Sequence, residues 1–170
     1  MISGFKPIIA TMPKALILGS MPSVTSLEKQ EYYGFKHNRF WKILALYFNE
    51  TYATYEDKVK SIKEHHLALW DVIKTCEREG SLDSAIREET YNDIPSLLIR
   101  YPSIRTVLCN GQKSYGLMQK YFGDLDITII ALPSTSSANQ SLRQEELYAR
   151  WMQALDDALN QNEGDTRLLD

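Results

Sequence analysis

Four short apolar runs constrain this chain more than any other feature: "ALILGS" from Ala15, "HLALWDV" from His66, "TVLCNG" from Thr106 and "ITIIALPS" from Ile127. Their hydrophobicity is continuous rather than alternating, which suits strands covered on both faces, as in a parallel sheet. The segments between them have helical period. Phe40, Leu44, Tyr47 and Phe48 share one face, and "YEDKVKSIKEHH" reads as a solvated, charged helix. Ile94, Leu97, Leu98 and Tyr101 repeat at helical spacing with Pro95 in the first turn. "GQKSYGLMQKYF" is closed by Gly123, and Ser141 and Gln144 stand in capping-box spacing ahead of a Leu147, Trp151, Leu155, Leu159 stripe. Strand and helix alternate, so the expected fold is a three-layer α/β/α sandwich with right-handed crossovers and a central, mainly parallel four-stranded sheet. The expected organisation is one domain over residues 1–160 and a polar C-terminal tail over 161–170.

Composition narrows the function classes. With 170 residues, 44% of them hydrophobic, the chain can bury one sizeable core. Cys76 and Cys109 are the only cysteines and read as buried apolar residues; no metal-ligand spacing occurs, so no metal and no cofactor is expected. No run is apolar enough to span a bilayer, and "MISGFKPIIATMPKA" lacks the features of a signal peptide, so the expected compartment is a reducing cytoplasm. A net charge of -3 argues against a protein that coats nucleic acid nonspecifically, although Lys36, His37, Arg39 and Lys42 form a local basic cluster.

In a doubly wound fold, ligands sit beyond the carboxyl ends of the strands. The loops after the first, third and fourth runs are "GSMPS", "CNGQK" and "LPSTSSAN", and all three are expected at one edge of the sheet. The first is neither a Walker loop nor GxGxxG. In it, Gly19 permits close backbone approach, Pro22 fixes the turn, and Ser20 and Ser23 can bond phosphate or sugar oxygens, unless the loop is simply a turn. The cluster "HNRFWKIL" follows at residues 37–44.

Together these motifs resemble the uracil-DNA glycosylase superfamily, and within it the hypoxanthine-DNA glycosylase (DNA-deoxyinosine glycosylase) branch. "GSMPS" stands in the place of the superfamily's first active-site motif and "LPSTSSAN" in the place of its second. "NRFWKIL" is similar to the matching segment of mismatch-specific uracil-DNA glycosylases, and "ALWDVIKTCEREGSLDSAI" looks like the middle segment of the hypoxanthine branch. The resemblance runs from about Leu16 to Trp151. Two departures stand out. Met21 occupies a position where several branches carry an Asp or Asn that handles water, and "FKHN" replaces the usual His-Pro. A thioether cannot act as a general base.

The resemblance implies a monomer that flips a deaminated base out of double-stranded DNA, hypoxanthine first, and hydrolyses its glycosidic bond to leave an abasic site. It points to Asn38 as the catalytic residue, donating to the base or holding water; by sequence mechanics alone Asn38 is a helix N-cap, and the two roles are compatible. Gly19, Ser20, Met21, Tyr33, Phe40, Asn110 and Gly111 form the expected base pocket. Phe40 either stacks on the base or packs in the core, Tyr33 and Tyr32 either wall the pocket or pack a loop, and Trp41 reads as core. Asn110 either reads a base edge or caps a helix, with the Gly111 amide open to ligand. Ser23, Lys36, His37, Arg39, Ser134, Thr135, Ser136, Ser137 and Asn139 are the expected DNA contacts, with a solvated turn as the alternative for the serine-rich loop. Ala138, Asn139 and Leu142 are candidates for entering the duplex. Asp71 either lines the pocket, which requires a donor or a raised pKa, or orients a loop. Three rival readings stay open: uracil or xanthine as the preferred base, a noncatalytic damaged-DNA or nucleotide-binding module, and a small-nucleotide hydrolase.

Overall fold

A computed structural model describes the backbone of residues 1–169 and the side chains of residues 1–160. The expected polar tail over 161–170 lies outside the residues described in full. Strands run at Ile2–Ser3 (β1), Ile8–Ile9 (β2), Ala15–Gly19 (β3), Leu67–Asp71 (β4), Ile73–Glu77 (β5), Arg87–Tyr91 (β6), Thr106–Asn110 (β7) and Thr128–Leu132 (β8). Helices run at Val24–Lys29 (α1), Phe40–Phe48 (α2), Tyr55–Glu64 (α3), Ile94–Arg100 (α4), Gln112–Phe122 (α5) and Gln144–Leu169 (α6).

The four apolar runs are the four parallel strands of the central sheet, whose order is β2-β4-β3-β7-β8. The expected four strands gain a fifth, the two-residue β2, which pairs antiparallel with β4 at the edge. Two residues are too few to show a hydrophobic period. All five residues of β3 and of β7 are buried, as two-sided coverage requires. Side chains leave the sheet alternately. Ala15, Ile17, Leu67, Leu69 and Leu108 meet Phe40, Ile43 and Leu44 of α2, Ile62 of α3 and Leu147, Trp151 and Leu155 of α6. Leu16, Leu18, Ala68, Val107 and Cys109 meet Ile94 and Leu97 of α4 and Leu117 and Met118 of α5 on the opposite face.

A second, antiparallel sheet of order β1-β5-β6 adds Ile73 and Cys76 to that opposite core, and Ile86, just before β6, joins them. It escapes a reading by period because "IKTCE" and "REETY" are rich in charge, and two register irregularities interrupt their pairing. Local caps follow the sequence. Thr54 and Asp57 form a reciprocal capping box at α3, and Asp93 caps α4 with Pro95 in its first turn. The capping box expected from Ser141 and Gln144 is absent: the Ser141 hydroxyl and amide donate to Asn139 Oδ1 at 2.7 and 3.2 Å, and the helix begins at Gln144.

Candidate active site

Strands β3, β4, β7 and β8 end at one edge, where the loops after them enclose a cleft of about 940 Å³. Gly19, Ser20, Met21, Tyr33, Asn38, Asp71, Asn110 and Ser134 are among the residues lining it. The GSMPS loop leads into α1, and the Ser23 hydroxyl caps that helix by accepting the Ser26 amide at 3.1 Å. Met21 lines the cleft while belonging to the core. A 3-10 turn at Asp83–Ala85, which carries no period signal, folds across the loop so that Asp83 accepts the Ser20 hydroxyl at 2.6 Å.

The opposite wall is a directional hydrogen-bond chain. Asn110 donates from Nδ2 to Thr135 Oγ1 at 3.0 Å, and the Thr135 hydroxyl donates to Asn38 Oδ1 at 2.8 Å. Asn38 Oδ1 also accepts the Phe40 amide at 2.9 Å. Because a backbone N–H can only donate, the Asn38 atom facing it must be oxygen, which fixes the orientation of the amide. Its NH2 group is left with no partner among the described residues, on a side chain that lines the cleft. The N-cap of α2 is Arg39, which makes no side-chain cap bond, so Asn38 is not the cap expected from sequence; it accepts the first helical amide from one position further out.

Asn110, Gly111 and Thr135 line the cleft but their polar groups are engaged within the fold, and Phe40 lies outside the lining. Thr135 takes one N–H and one lone pair of the Asn110 amide, its own N–H donating to Asn110 Oδ1 at 3.0 Å, so Asn110 lines the cleft with its orientation fixed by Thr135 and one N–H left over. Thr135 is fully buried and holds this wall together; its hydroxyl is not on the surface for phosphate, because a buried N–H and O–H need internal partners. The Gly111 amide is not open either, since it donates to Leu132 O at 2.9 Å and extends the parallel ladder. Glycine is needed there for another reason: its φ is +96°, and a Cβ would meet Ser134 Cβ at 3.3 Å. Phe40 is 0% exposed and does not line the cleft. It lies behind Tyr33, ring centroids 4.2 Å apart, and Tyr33 occupies the wall. Trp41 is core, as expected, with its indole donating to Tyr32 O at 2.8 Å.

Arg39 stitches the start of α2 to the serine-rich loop. Its guanidinium donates to the carbonyls of Thr135, Ser136 and Asn139 at 3.3, 2.7 and 3.0 Å. The loop is further tied by Ser134 Oγ accepting the Ser136 amide, and by Asn139 Nδ2 donating to Ser134 O. Lys36 and His37 are exposed and outside the cleft lining. Ser137, Ala138, Asn139 and Leu142 line the cleft alongside Ser134 and Ser136, with Phe35 and the 60%-exposed Leu82 at its mouth.

One residue stands apart. Asp71, at the end of β4, is 4% exposed, lines the cleft, and has a buried Oδ2 with no hydrogen-bond partner. The Tyr33 hydroxyl is likewise buried and unpartnered. Both crowd over Gly19, where a Cβ would collide with the Asp71 carboxyl and come to 3.0 Å from the Tyr33 hydroxyl. Burial, and then the Asp83 charge, push the Asp71 carboxyl up to about 7, against a smaller pull down from Arg78. Burial and the Asp71 charge raise the Tyr33 phenol far above its usual range. A carboxylate closing an apolar strand, "LALWD", is the one sequence signal for this feature. Among the described residues, no group of three or more His, Cys, Asp or Glu side chains is arranged to hold a metal ion.

The family model for the uracil DNA glycosylase superfamily matches residues 7–156. The chain belongs to that superfamily. A hypoxanthine DNA glycosylase of Methanosarcina acetivorans is 37% identical over 139 residues, covering 81% of this chain and 87% of that protein. The hypoxanthine DNA glycosylase of Methanosarcina barkeri is 34% identical with the same coverage. In solution by NMR, a Methanosarcina acetivorans protein proposed to be a uracil DNA glycosylase has the same architecture, with a TM-score of 0.77 at 34% identity over 90% of this chain and 95% of that one. Residues of the GSMPS and LPSTSSAN loops both line the cleft.

Proposed function

We propose that this member of the superfamily is a DNA glycosylase that takes hypoxanthine from deoxyinosine in duplex DNA and leaves an abasic site. The observation that carries the reading is the Asn38 amide, locked through its oxygen by Phe40 and Thr135 so that its NH2 group is free at the cleft. As a glycosidic bond breaks, negative charge collects on the departing base, and a preorganised donor aimed at that charge lowers the barrier. The Tyr33 ring, backed by Phe40, offers a stacking face of the kind worth about 1–3 kcal/mol per base. The two curated relatives, both hypoxanthine DNA glycosylases, favour that base over uracil or xanthine.

Outside the pocket, the serine-rich loop and the exposed Lys36 and His37 are our candidates for phosphate contacts, with Ala138, Asn139 or Leu142 entering the stack. We place the enzyme, as a monomer, in a cytoplasmic compartment of bacterial or archaeal type, a setting that suits its two buried free thiols.

The test is base release from matched duplexes carrying deoxyinosine, deoxyuridine or deoxyxanthosine, with chelator present, for the wild type and Asn38→Ala. Hypoxanthine release that collapses in the variant is the expected result. Preferential release of uracil or xanthine would reassign the substrate. Binding of deoxyinosine duplex with no base released by either protein would mark a noncatalytic recognition module.

A further inference from the structure

Of the ionisable groups that line the cleft, Asp71 is a buried carboxyl that the donor chain does not use. Asp71 closes β4 and stands beside Gly19 at the end of β3, where the missing side chain leaves room for its carboxyl. None of its carboxyl contacts is a hydrogen bond to another described residue, although it lines the same cleft as the Asn38 amide. A buried carboxyl without internal partners is destabilising, so such a group is retained where it meets a partner outside the fold. Its surroundings favour the neutral acid: Tyr32, Tyr33 and Asp83 are close enough to interact with it, and the single cation among the groups that act on it is Arg78. Arg78 directs a donor to Pro22 O and leaves Nε and Nη1 buried without partners, so it does not form an ion pair with Asp71.

We propose that Asp71 is the general acid of the reaction, delivering its carboxyl proton to N7 of the flipped purine as the bond from C1′ to N9 breaks. The inference rests on the glycosylase reading above. The electron pair of the C1′–N9 bond passes into the purine, which takes the Asp71 proton and leaves as neutral hypoxanthine. Water then adds to the sugar at C1′, and the proton it sheds restores the Asp71 carboxyl or passes to solvent. Asn38 and Asp71 divide the work: the amide stabilises charge on the base, and the acid removes it. Met21 holds no proton, so the water-handling position of related motifs is not the source of this one. With the carboxyl near pH 7, the acid form is present at neutral pH and is lost above it.

Single-turnover release from a deoxyinosine duplex is measured between pH 5 and pH 9, for the wild type and Asp71→Asn, beside a wild-type reaction on a duplex carrying 7-deaza-2′-deoxyinosine. The wild-type rate is expected to fall as pH rises through about 7. Asp71→Asn should release hypoxanthine roughly 100-fold or more slowly, the scale of a lost general acid. It should lose that alkaline limb and keep its affinity for the duplex. The 7-deaza duplex, which lacks the proton acceptor, should be bound and not cleaved. Should the variant retain the alkaline limb, or the 7-deaza base leave at the deoxyinosine rate, Asp71 is not the acid while the glycosylase reading stands. If the wild type releases no hypoxanthine at any pH, the glycosylase reading falls and the assignment falls with it. The 7-deaza arm needs no variant, so cleavage there at the deoxyinosine rate overturns the assignment even if Asp71→Asn does not fold.

Discussion

The two sides of the cleft treat their polar groups in opposite ways. On the Asn38 side, Asn110, Thr135 and Asn38 are joined in one hydrogen-bond chain, and it holds the Asn38 NH2 free at the cleft. On the Asp71 side, a carboxyl oxygen and a tyrosine hydroxyl are buried with no hydrogen-bond partner within bonding distance among the described residues. A satisfied network is stiff and holds a donor in place. An unsatisfied one destabilises the fold, and it is the place where a ligand gains most by arriving. The contrast separates a wall built for geometry from a wall built for proton chemistry.

The comparison breaks most visibly at its best-ordered point. Asn38→Ala removes the free donor and should slow hypoxanthine release about 100- to 1,000-fold in single-turnover assays, with duplex affinity little changed. On the other wall, Asp71→Asn should stabilise the fold above neutral pH. The folded carboxyl, near 7, keeps its proton while the unfolded chain, near 3.8, has released it, so stability is lost as pH rises between those values. The gain of the variant, on the order of a few kcal/mol at most, should be present at pH 8 and vanish near pH 4 in paired thermal melts.

A smaller change sharpens the distinction within the ordered wall. Thr135→Val deletes the hydroxyl that relays Asn110 to Asn38 and leaves buried groups unpaired; it should cost about 1–3 kcal/mol in denaturant unfolding and reduce turnover without changing its pH profile. Gly111→Ala puts a side chain at φ +96° against Ser134 and should cost about 1–2 kcal/mol by the same measurement. The least effect belongs to Tyr33→Phe. Removing an unpartnered hydroxyl should leave stability unchanged or raise it by up to about 1 kcal/mol, and base release should persist because the ring remains.

What was legible in the chain follows from how locally each feature is encoded. The central strands are written as four apolar runs, and α4 and α5 carry their own proline and glycine boundaries. The second sheet is not written that way, since "REETY" buries little and relies on pairing with β5 across a charged turn. At the site, sequence brought the GSMPS and LPSTSSAN loops and Asn38 to one edge, as found. It could not tell which polar residues face inward on one another. Thr135 and Asn110 look like separate ligand contacts, and the fold joins them by two hydrogen bonds of 3.0 Å. Phe40 and Tyr33 differ only in which ring lies in front, and one-dimensional spacing carries no such depth.

Arg39 draws the carbonyl oxygens of Thr135, Ser136 and Asn139 onto one guanidinium. Those oxygens would otherwise repel a phosphodiester. A chain of net charge -3 thereby lowers the electrostatic barrier to a polyanion by neutralising its own loop dipoles internally. Fewer counterions are then displaced on contact, so the affinity of this protein for duplex should respond to salt with a shallow slope, unlike that of a basic DNA-coating protein.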